Sequence, residues 1–381
     1  MRSGPCAGYD LVVVGAGICG LAHALAAVRR GKRVVVVDRD ARANGASIRN
    51  FGFVTVTGQQ RGPCWRRAVR SREVWAEVAP RAGIRVEQHG LVVVARRPEA
   101  LAVLEEFLAT EMGDGCELLT AQRARARFPM LGERSLAGAL RSPHELRVES
   151  RDAIPALARW LEEAHGVEFL RGTQVSRVEP PRVETSNGSV RAETCVVCPG
   201  DDFLTLFAER LAAYRLTRCK LHMMRVAAPA PGWRMTAPVM SDLGLVRYLG
   251  YAELPTAVAL RRRLEAEQPE HLANGVHLIA VQGSDGTLVV GDSHHYAATP
   301  EPFAPNRVDE LILEELEAVL AIGGPRVVER WTGTYASAAD RLMLVDRPAD
   351  AVRLVVITSG TGASTAFAIA EEVIGDLFGP T

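Results

Sequence analysis

The chain has 381 residues, 48% of them hydrophobic and 24% charged, with 45 basic and 45 acidic side chains. That length supports a large core and suggests two domains, while zero net charge gives no electrostatic reason to expect nucleic acid or an anionic membrane as partner. No apolar run of ~18 residues is present and residues 1–8 lack an apolar signal core, so a cytoplasmic location is expected.

The first forty or so residues carry the strongest pattern. Residues 11–14 form an uninterrupted, β-branched run that reads as a strand buried on both faces. Gly15-x-Gly17-x-x-Gly20 follows at once, helix periodicity runs over 18–30 with Gly31 as its stop, and a second apolar strand at 34–37 ends in Asp38. A strand–turn–helix–strand unit with an acid about 20 residues past the glycines is the pattern of a dinucleotide site. Gly15 permits the tight turn, Gly17 lets backbone N–H groups approach a pyrophosphate, and Gly20 lets the helix pack on the strand. The helix N-terminus then favours the diphosphate charge. Asp38 can accept hydrogen bonds from a ribose 2′-OH, and its acidity argues against a 2′-phosphate.

Farther along, small residues at 45–47 precede Arg49 and Asn50, suiting a loop or helix start close to a large cofactor. A β-rich stretch at 53–57 is followed by predicted helices over 67–78, 99–111 and 123–128 and a strand at 91–95. Residues 138–149 read as strand and turn, leading into a helix capped by Ser150 and ended by Gly166. Strands are predicted at 167–170 and 174–179, with an Asn187-Gly188 hairpin joining 182–185 to 190–192. A buried strand at 194–197 then ends at Pro199-Gly200. Long strands follow at 220–226, 239–251, 276–282 and 288–292, and a helix over 306–321 is capped by Asn306. The chain finishes with a strand at 353–358, a second glycine turn at Ser359-Gly-Thr-Gly362 and a helix over 366–377.

Seven cysteines are scattered. Cys195 and Cys198 are close, but a redox Cys-x-x-Cys normally opens a helix, whereas on a strand these two point to opposite faces. No His/Cys cluster has metal-ligand spacing, and the adjacent His294 and His295 cannot both face one ion from a strand, so no metal is expected.

With these pieces assembled, the chain resembles the D-amino-acid-oxidase-like FAD-dependent oxidoreductases, the group of glycine and sarcosine oxidases. Its carriers are Gly15, Gly17 and Gly20 with Asp38, the Gly45-Ala-Ser47 stretch, Pro199-Gly200, and Ser359-Gly-Thr-Gly362 before a helix. More narrowly it is similar to a subgroup associated with phosphonate metabolism that acts on 2-aminoethylphosphonate-type amines. The matching phrases are Ser47-Ile-Arg-Asn-Phe-Gly52, Cys198-Pro-Gly-Asp-Asp-Phe203, Thr217-Arg-Cys-Lys-Leu221, Gly291-Asp-Ser-His294 and Arg330-Trp-x-Gly-x-Tyr335. The resemblance implies an α/β fold with a discontinuous Rossmann-like FAD domain (1–84, 140–213, 331–381) and an antiparallel-sheet substrate domain (85–139, 214–330). It also implies FAD contacts from Gly15, Ala16, Gly17, Ile18, Gly20, Asp38, Arg39, Ala46, Ser47, Arg49, Asn50, Val175, Pro199, Gly200, Gly333, Gly360, Thr361, Gly362, Ser364 and Thr365.

The departures bear on the substrate. The family's amino-acid oxidases clamp a carboxylate with arginines where this chain has Thr334-Tyr335 and Ala363-Ser364, which argues against a classical α-amino acid. Gly333 stands where covalent-flavin members carry cysteine, so FAD is expected to be non-covalent. The subgroup's Met-Val-Trp-Pro-like stretch is replaced by residues 53–57, and its methionine by Ala363.

Flavin amine oxidation asks the protein to orient a C–H, exclude water and hold the substrate's charged end. Arg49, a permanent fork-shaped cation, suits a phosphonate or carboxylate, or else a flavin phosphate or structural ion pair. His294 can bind an anionic group or tune amine protonation, or be a satisfied core histidine. Tyr335 can orient an anionic or amine group. Arg247 and Tyr248 lie in the predicted strand at 239–251, where alternation turns one of them toward the cavity. Asn50, Phe53 and Ala363 complete the expected substrate wall. Lys220 is either an oxygen-activating cation, as in related sarcosine oxidases, or a solvated strand lysine.

The expected reaction is hydride transfer from an amine C–H to FAD, giving an imine that water hydrolyses, with O2 as acceptor and H2O2 as product. Two alternatives stand beside it: biosynthetic amine or imine dehydrogenation on another scaffold, and an FAD-bearing electron-transfer subunit. Oligomeric state is open.

Overall fold

The computed structural model describes residues 8–132 and 136–379; the expectation that residues 1–8 lack a signal core falls, but for Gly8, outside them. Two sheets organise the chain. In the first, five strands run parallel in the spatial order Val352–Ile357, Gly188–Val197, Tyr9–Val14, Val34–Val37 and Glu168–Leu170. The Met343–Ala349 strand closes one edge antiparallel, and a hairpin of Val175–Glu179 and Arg182–Thr185 extends Gly188–Val197. Helices Ile18–Val28, Pro63–Arg81, Ser150–His165 and Gly362–Phe378 pack on one face, where Leu21, Leu25, Trp75, Leu157 and Phe367 are buried. Burial on both faces is why the central strands are all-apolar rather than alternating.

The second sheet has ten strands and is antiparallel except where Val239–Met240 runs beside Val86–Ala95. Its longest pairings join Thr217–Val226 to Val327–Ser337 and Val86–Ala95 to Gly138–Val148. Strands cross two of the four boundaries expected between domains: Gly138–Val148 spans 139/140 and Val327–Ser337 spans 330/331, while Phe53–Val54, placed in the other domain by the sequence, pairs within this sheet.

The mixed α/β class expected from the sequence is the one observed, with local corrections. The predicted strand at 239–251 is a strand only at Val239–Met240; it continues as a 3-10 turn at Asp242–Val246 and a short helix at Leu249–Ala252. The alternation argument for Arg247 and Tyr248 therefore fails. Glu149, not Ser150, precedes the helix Ser150–His165, and the Ser150 hydroxyl donates to Asn50 O; Pro305, not Asn306, precedes Asn306–Val319. Helix Ala257–Glu267 and strands Glu117–Thr120 and Met343–Ala349 were not anticipated. Among the described residues no helix is long and apolar enough to cross a membrane.

Candidate active site

A cavity of about 860 Å³ runs from the first glycine turn to the face of the second sheet. Every residue anticipated for cofactor or substrate lies in its wall except Ala16 and Thr365. Ala16 takes part through its N–H, whereas the Thr365 hydroxyl turns back to Thr361 O at 3.0 Å.

At one end the parallel strands stop together and their loops form a cradle. Gly15 has φ +102°, and a Cβ there would fall 2.5 Å from Cys198 O; a Cβ at Gly20 would fall 1.8 Å from Gly15 O. A Cβ at Gly17 would sit 2.9 Å from Ser47 Oγ, which itself accepts the Ile18 N–H at 2.9 Å. Space at this turn thus exists only because side chains are missing, as close approach of a diphosphate requires. Asp38 ends strand Val34–Val37; its carboxylate accepts the Ala16 N–H at 2.5 Å and the Asp40 N–H at 2.8 Å. Arg39 is held by Asp202 at 2.7 Å across the opening. Opposite, helix Gly362–Phe378 begins from Thr361, and its first N–H groups have no helical acceptor. Two helix N-termini therefore face one cavity.

Several anticipated side chains are already committed within the fold. The Asn50 amide donates to Ala46 O and accepts the Gly52 N–H, both at 2.7 Å, so it shapes its own loop. Ser364 Oγ accepts the Thr55 N–H at 2.8 Å, and the Ala363 carbonyl accepts the Trp75 indole N–H at 2.8 Å. Lys220 is neither solvated nor in the cavity wall: its ammonium donates to the carbonyls of Glu301 and Phe303, at 2.8 and 2.6 Å, and anchors the 298–305 loop. His295 turns away from the cavity toward His222, ring centroids 5.7 Å apart.

The other end is polar: His277, Asp292 and His294 are buried, Arg247 and Tyr248 half-buried, and Tyr296 is exposed at its rim. Arg247 and Tyr248 reach it from the bend between the 3-10 turn and the short helix. Arg247 donates to the Tyr296 hydroxyl at 3.1 Å, and among the described residues no carboxylate lies within ion-pair distance of it. Arg49 is also half-buried and donates to Asn44 Oδ1 at 3.0 Å. The Tyr335 ring packs where a Cβ on Gly360 would meet it at 3.1 Å, which ties that tyrosine to the second glycine turn.

His277, Asp292 and His294 are buried together here, their ligand atoms within 4.8 Å of one another. Backbone bonds between His277 and Asp292 in both directions, at 3.1 and 3.2 Å, fix the pair. His277 Nδ1 is 3.1 Å from Asp292 Oδ1, and His294 Nε2 is 3.8 Å from Asp292 Oδ2. His294 Nδ1 lies 2.9 Å from Gly275 O, an obligate acceptor, so Nδ1 carries the proton and Nε2 offers a lone pair. Burial, with Arg247 adding to it, holds both imidazoles well below their ordinary range. Burial pushes the Asp292 carboxyl up to about 8, with Arg247 pulling the other way. The nearby guanidinium makes this trio a poor cation site. Sequence reasoning singled out His294 but missed His277, Asp292 and Tyr296; the available signal was Asp292, an acid at the end of an apolar strand facing the same cavity.

Comparison with known proteins agrees with this architecture. The family described as FAD dependent oxidoreductase matches residues 10–375. Glycine oxidase of Geobacillus kaustophilus (strain HTA426) is 25% identical over 237 residues, 58% of this chain and 63% of the relative. Monomeric sarcosine oxidase of Bacillus sp. (strain B-0618) is 27% identical over 203 residues, 50% of this chain and 51% of the relative. The matched stretch thus spans between half and two-thirds of the length of these relatives. In fold the similarity is wider: the crystal structure of the Geobacillus glycine oxidase superposes with a TM-score of 0.76 at 20% identity, covering 98% of this chain and 95% of that one. L-proline dehydrogenase from P. horikoshii gives a TM-score of 0.78 at 18% identity, covering 98% and 94%.

Proposed function

The chain belongs to the FAD-dependent oxidoreductase family, and from that premise we propose that it oxidises a small amine bearing an anionic group. FAD fits the cradle: Gly15, Gly17 and Gly20 leave room for its diphosphate, Asp38 and Ala16 N–H stand where a ribose would lie, and the helix at Gly362 faces the cavity from the other side. We assign it a non-covalent hold, because Gly333 presents no nucleophile. When bound, the flavin supplies the hydride acceptor.

The observation that carries the substrate reading is Arg247, a half-buried cation in the cavity wall whose described hydrogen-bond partner is a phenol. A phosphonate or carboxylate completes its fork; Tyr296 and Tyr335 supply hydroxyls beside it, and Arg49 a second cation on the cofactor side. His294 Nε2 offers a lone pair that can accept a hydrogen bond from the substrate's free amine, the form that hydride loss needs. Within this class 2-aminoethylphosphonate or its N-methyl form fits the sequence phrases quoted above, and O2 is the proposed acceptor. Peroxide release assayed with that amine, with glycine and with sarcosine tests the assignment; turnover of the α-amino acids alone would remove the phosphonate.

Two further expectations arise here. Asp38→Ala takes the acceptor from Ala16 N–H and from the proposed ribose contact, and is expected to weaken FAD about tenfold, roughly 1.4 kcal/mol, in a flavin-fluorescence titration; wild-type affinity would take Asp38 out of the cofactor site. The second concerns pH. Below about 8 Asp292 keeps its proton and leaves Arg247 free for the substrate anion, whereas above it the new carboxylate competes. KM for an anionic amine is therefore expected to rise above pH 8 in the wild type and to lose that limb in Asp292→Asn; superimposable profiles would contradict it. Folding follows the same direction: the folded chain holds this proton more tightly than the unfolded one, so this group's stabilisation is full at low pH and is lost as pH rises to about 8.

A further inference from the structure

The fold gathers three side chains that no sequence spacing announces: Cys19 and His23 on the first helix, and Cys198 just past strand Gly188–Val197. Their ligand atoms lie within 4.8 Å of one another. His23 Nδ1 stands 3.9 Å from Cys19 Sγ and 3.8 Å from Cys198 Sγ. Strand pairing sets the position, because Cys198 N–H donates to Val14 O at 2.8 Å beside the glycine turn. Both cysteines lie in the cavity wall, and His23 is fully buried behind them.

A metal reading fails on the histidine. Its Nδ1 lies 2.7 Å from the Cys19 carbonyl, which can only accept, so Nδ1 is protonated and unavailable to an ion. That N–H is committed to the carbonyl, so what favours a thiolate by geometry is the place of Cys19 within the first turn of a helix.

We propose that Cys19 and Cys198 are a peroxide-reactive dithiol in which Cys19 is the attacking thiolate and Cys198 the resolving thiol. In the first step Cys19 Sγ bonds to one peroxide oxygen as the O–O bond breaks and hydroxide leaves. In the second, Cys198 Sγ displaces that oxygen, which departs with the Cys198 proton, and the Cys19–Cys198 bond forms. Two thiols are oxidised to one disulfide and one H2O2 is reduced to two waters. The contact between the two sulfurs polarises them in the required sense: hydrogen bonding from Cys198, with burial opposing and His23 assisting, lowers Cys19 to about 5 and leaves Cys198 raised. Cys195, on the opposite face of its strand, is pushed up by burial alone and has no cavity access. The oxidant is hydrogen peroxide; the amine oxidation proposed above would release it in this cavity, but the dithiol chemistry does not depend on that reading.

The test adds H2O2 to the purified flavoprotein after mild reduction, then alkylates and digests without reductant. The expected peptide map shows Cys19 linked to Cys198 while Cys64 and Cys195 remain alkylated. Cys198→Ser is expected to stop at a dimedone-reactive sulfenic acid on Cys19. Cys19→Ser is expected to slow oxidation of Cys198 at least tenfold. Recovery of alkylated Cys19 and Cys198 from peroxide-treated wild type would overturn the proposal, as would a disulfide pairing either with another cysteine. The wild-type map decides the matter if either variant fails to fold, and failure of the amine assay leaves it unaffected.

Discussion

Replacing Arg247 with methionine is expected to lower kcat/KM for an anionic amine by roughly 30- to several-thousand-fold, the range of 2–5 kcal/mol for stranding a charge whose enclosed partner is removed. The loss should fall mainly on KM, because the group that binds Arg247 does not change charge during hydride transfer. A neutral amine of similar size provides the control and should lose little. Methionine keeps the stem's packing against the cavity wall, so lost bulk is not the cause. Arg49→Ala and Tyr335→Phe test the other anticipated contacts: if KM and turnover stay at wild-type values, neither group touches the substrate. If Arg247→Met leaves the anionic amine unaffected, the charged end lies elsewhere.

Gly20→Ala is expected to abolish flavin binding. The new Cβ would sit 1.8 Å from Gly15 O and 2.9 Å from Gly15 C, backbone atoms of the turn proposed to receive the diphosphate. Relief requires the first helix to move off its strand, at about 1–3 kcal/mol or more for an overpacked interior, and that movement opens the cradle. Gly31→Ala is the matching control. That glycine has φ +70° with nothing within 4 Å of a would-be Cβ, so alanine incurs about 1–2 kcal/mol of left-handed strain and nothing else. Flavin content and thermal unfolding should separate the two: Gly31→Ala yellow and slightly less stable, Gly20→Ala colourless. A yellow Gly20→Ala would show that the diphosphate does not use this turn.

The nucleotide half was legible because its constraints are local. A βαβ unit buried on both faces writes itself as unbroken Val and Leu runs, and its glycines stand where backbones meet. The substrate half was less so. Residues 239–251 are mostly apolar because the 3-10 turn and much of the short helix are as buried as a central strand, and burial alone does not distinguish them. Gly244 and Gly250 were the signal against a strand; a Cβ on Gly250 would meet Gln59 O at 2.4 Å. Helix Ala257–Glu267 was hidden by its Arg261-Arg262-Arg263 run, which faces outward from a narrow buried edge of Leu260 and Leu264.

At the site, single residues were more legible than their relationships. Arg247, His294 and Tyr335 were each singled out, and all lie in the cavity wall. What turns them into one arrangement is Asp292 bonded through its backbone to His277, a contact between strand ends that follows from sheet register rather than from either local sequence. The Cys19–His23–Cys198 group is hidden for the same reason: two of its members share a helix turn and the third arrives with the neighbouring parallel strand.

Anaerobic mixing of the purified protein with a panel of amines, followed at the flavin band near ~450 nm, tests the central claim most directly. Rapid bleaching is expected with amines that carry an anionic end, 2-aminoethylphosphonate or its N-methyl form foremost, and much slower bleaching with neutral amines of equal size at the same concentration. Bleaching by neutral amines as fast as by anionic ones, or a yellow protein that no amine bleaches, would contradict it.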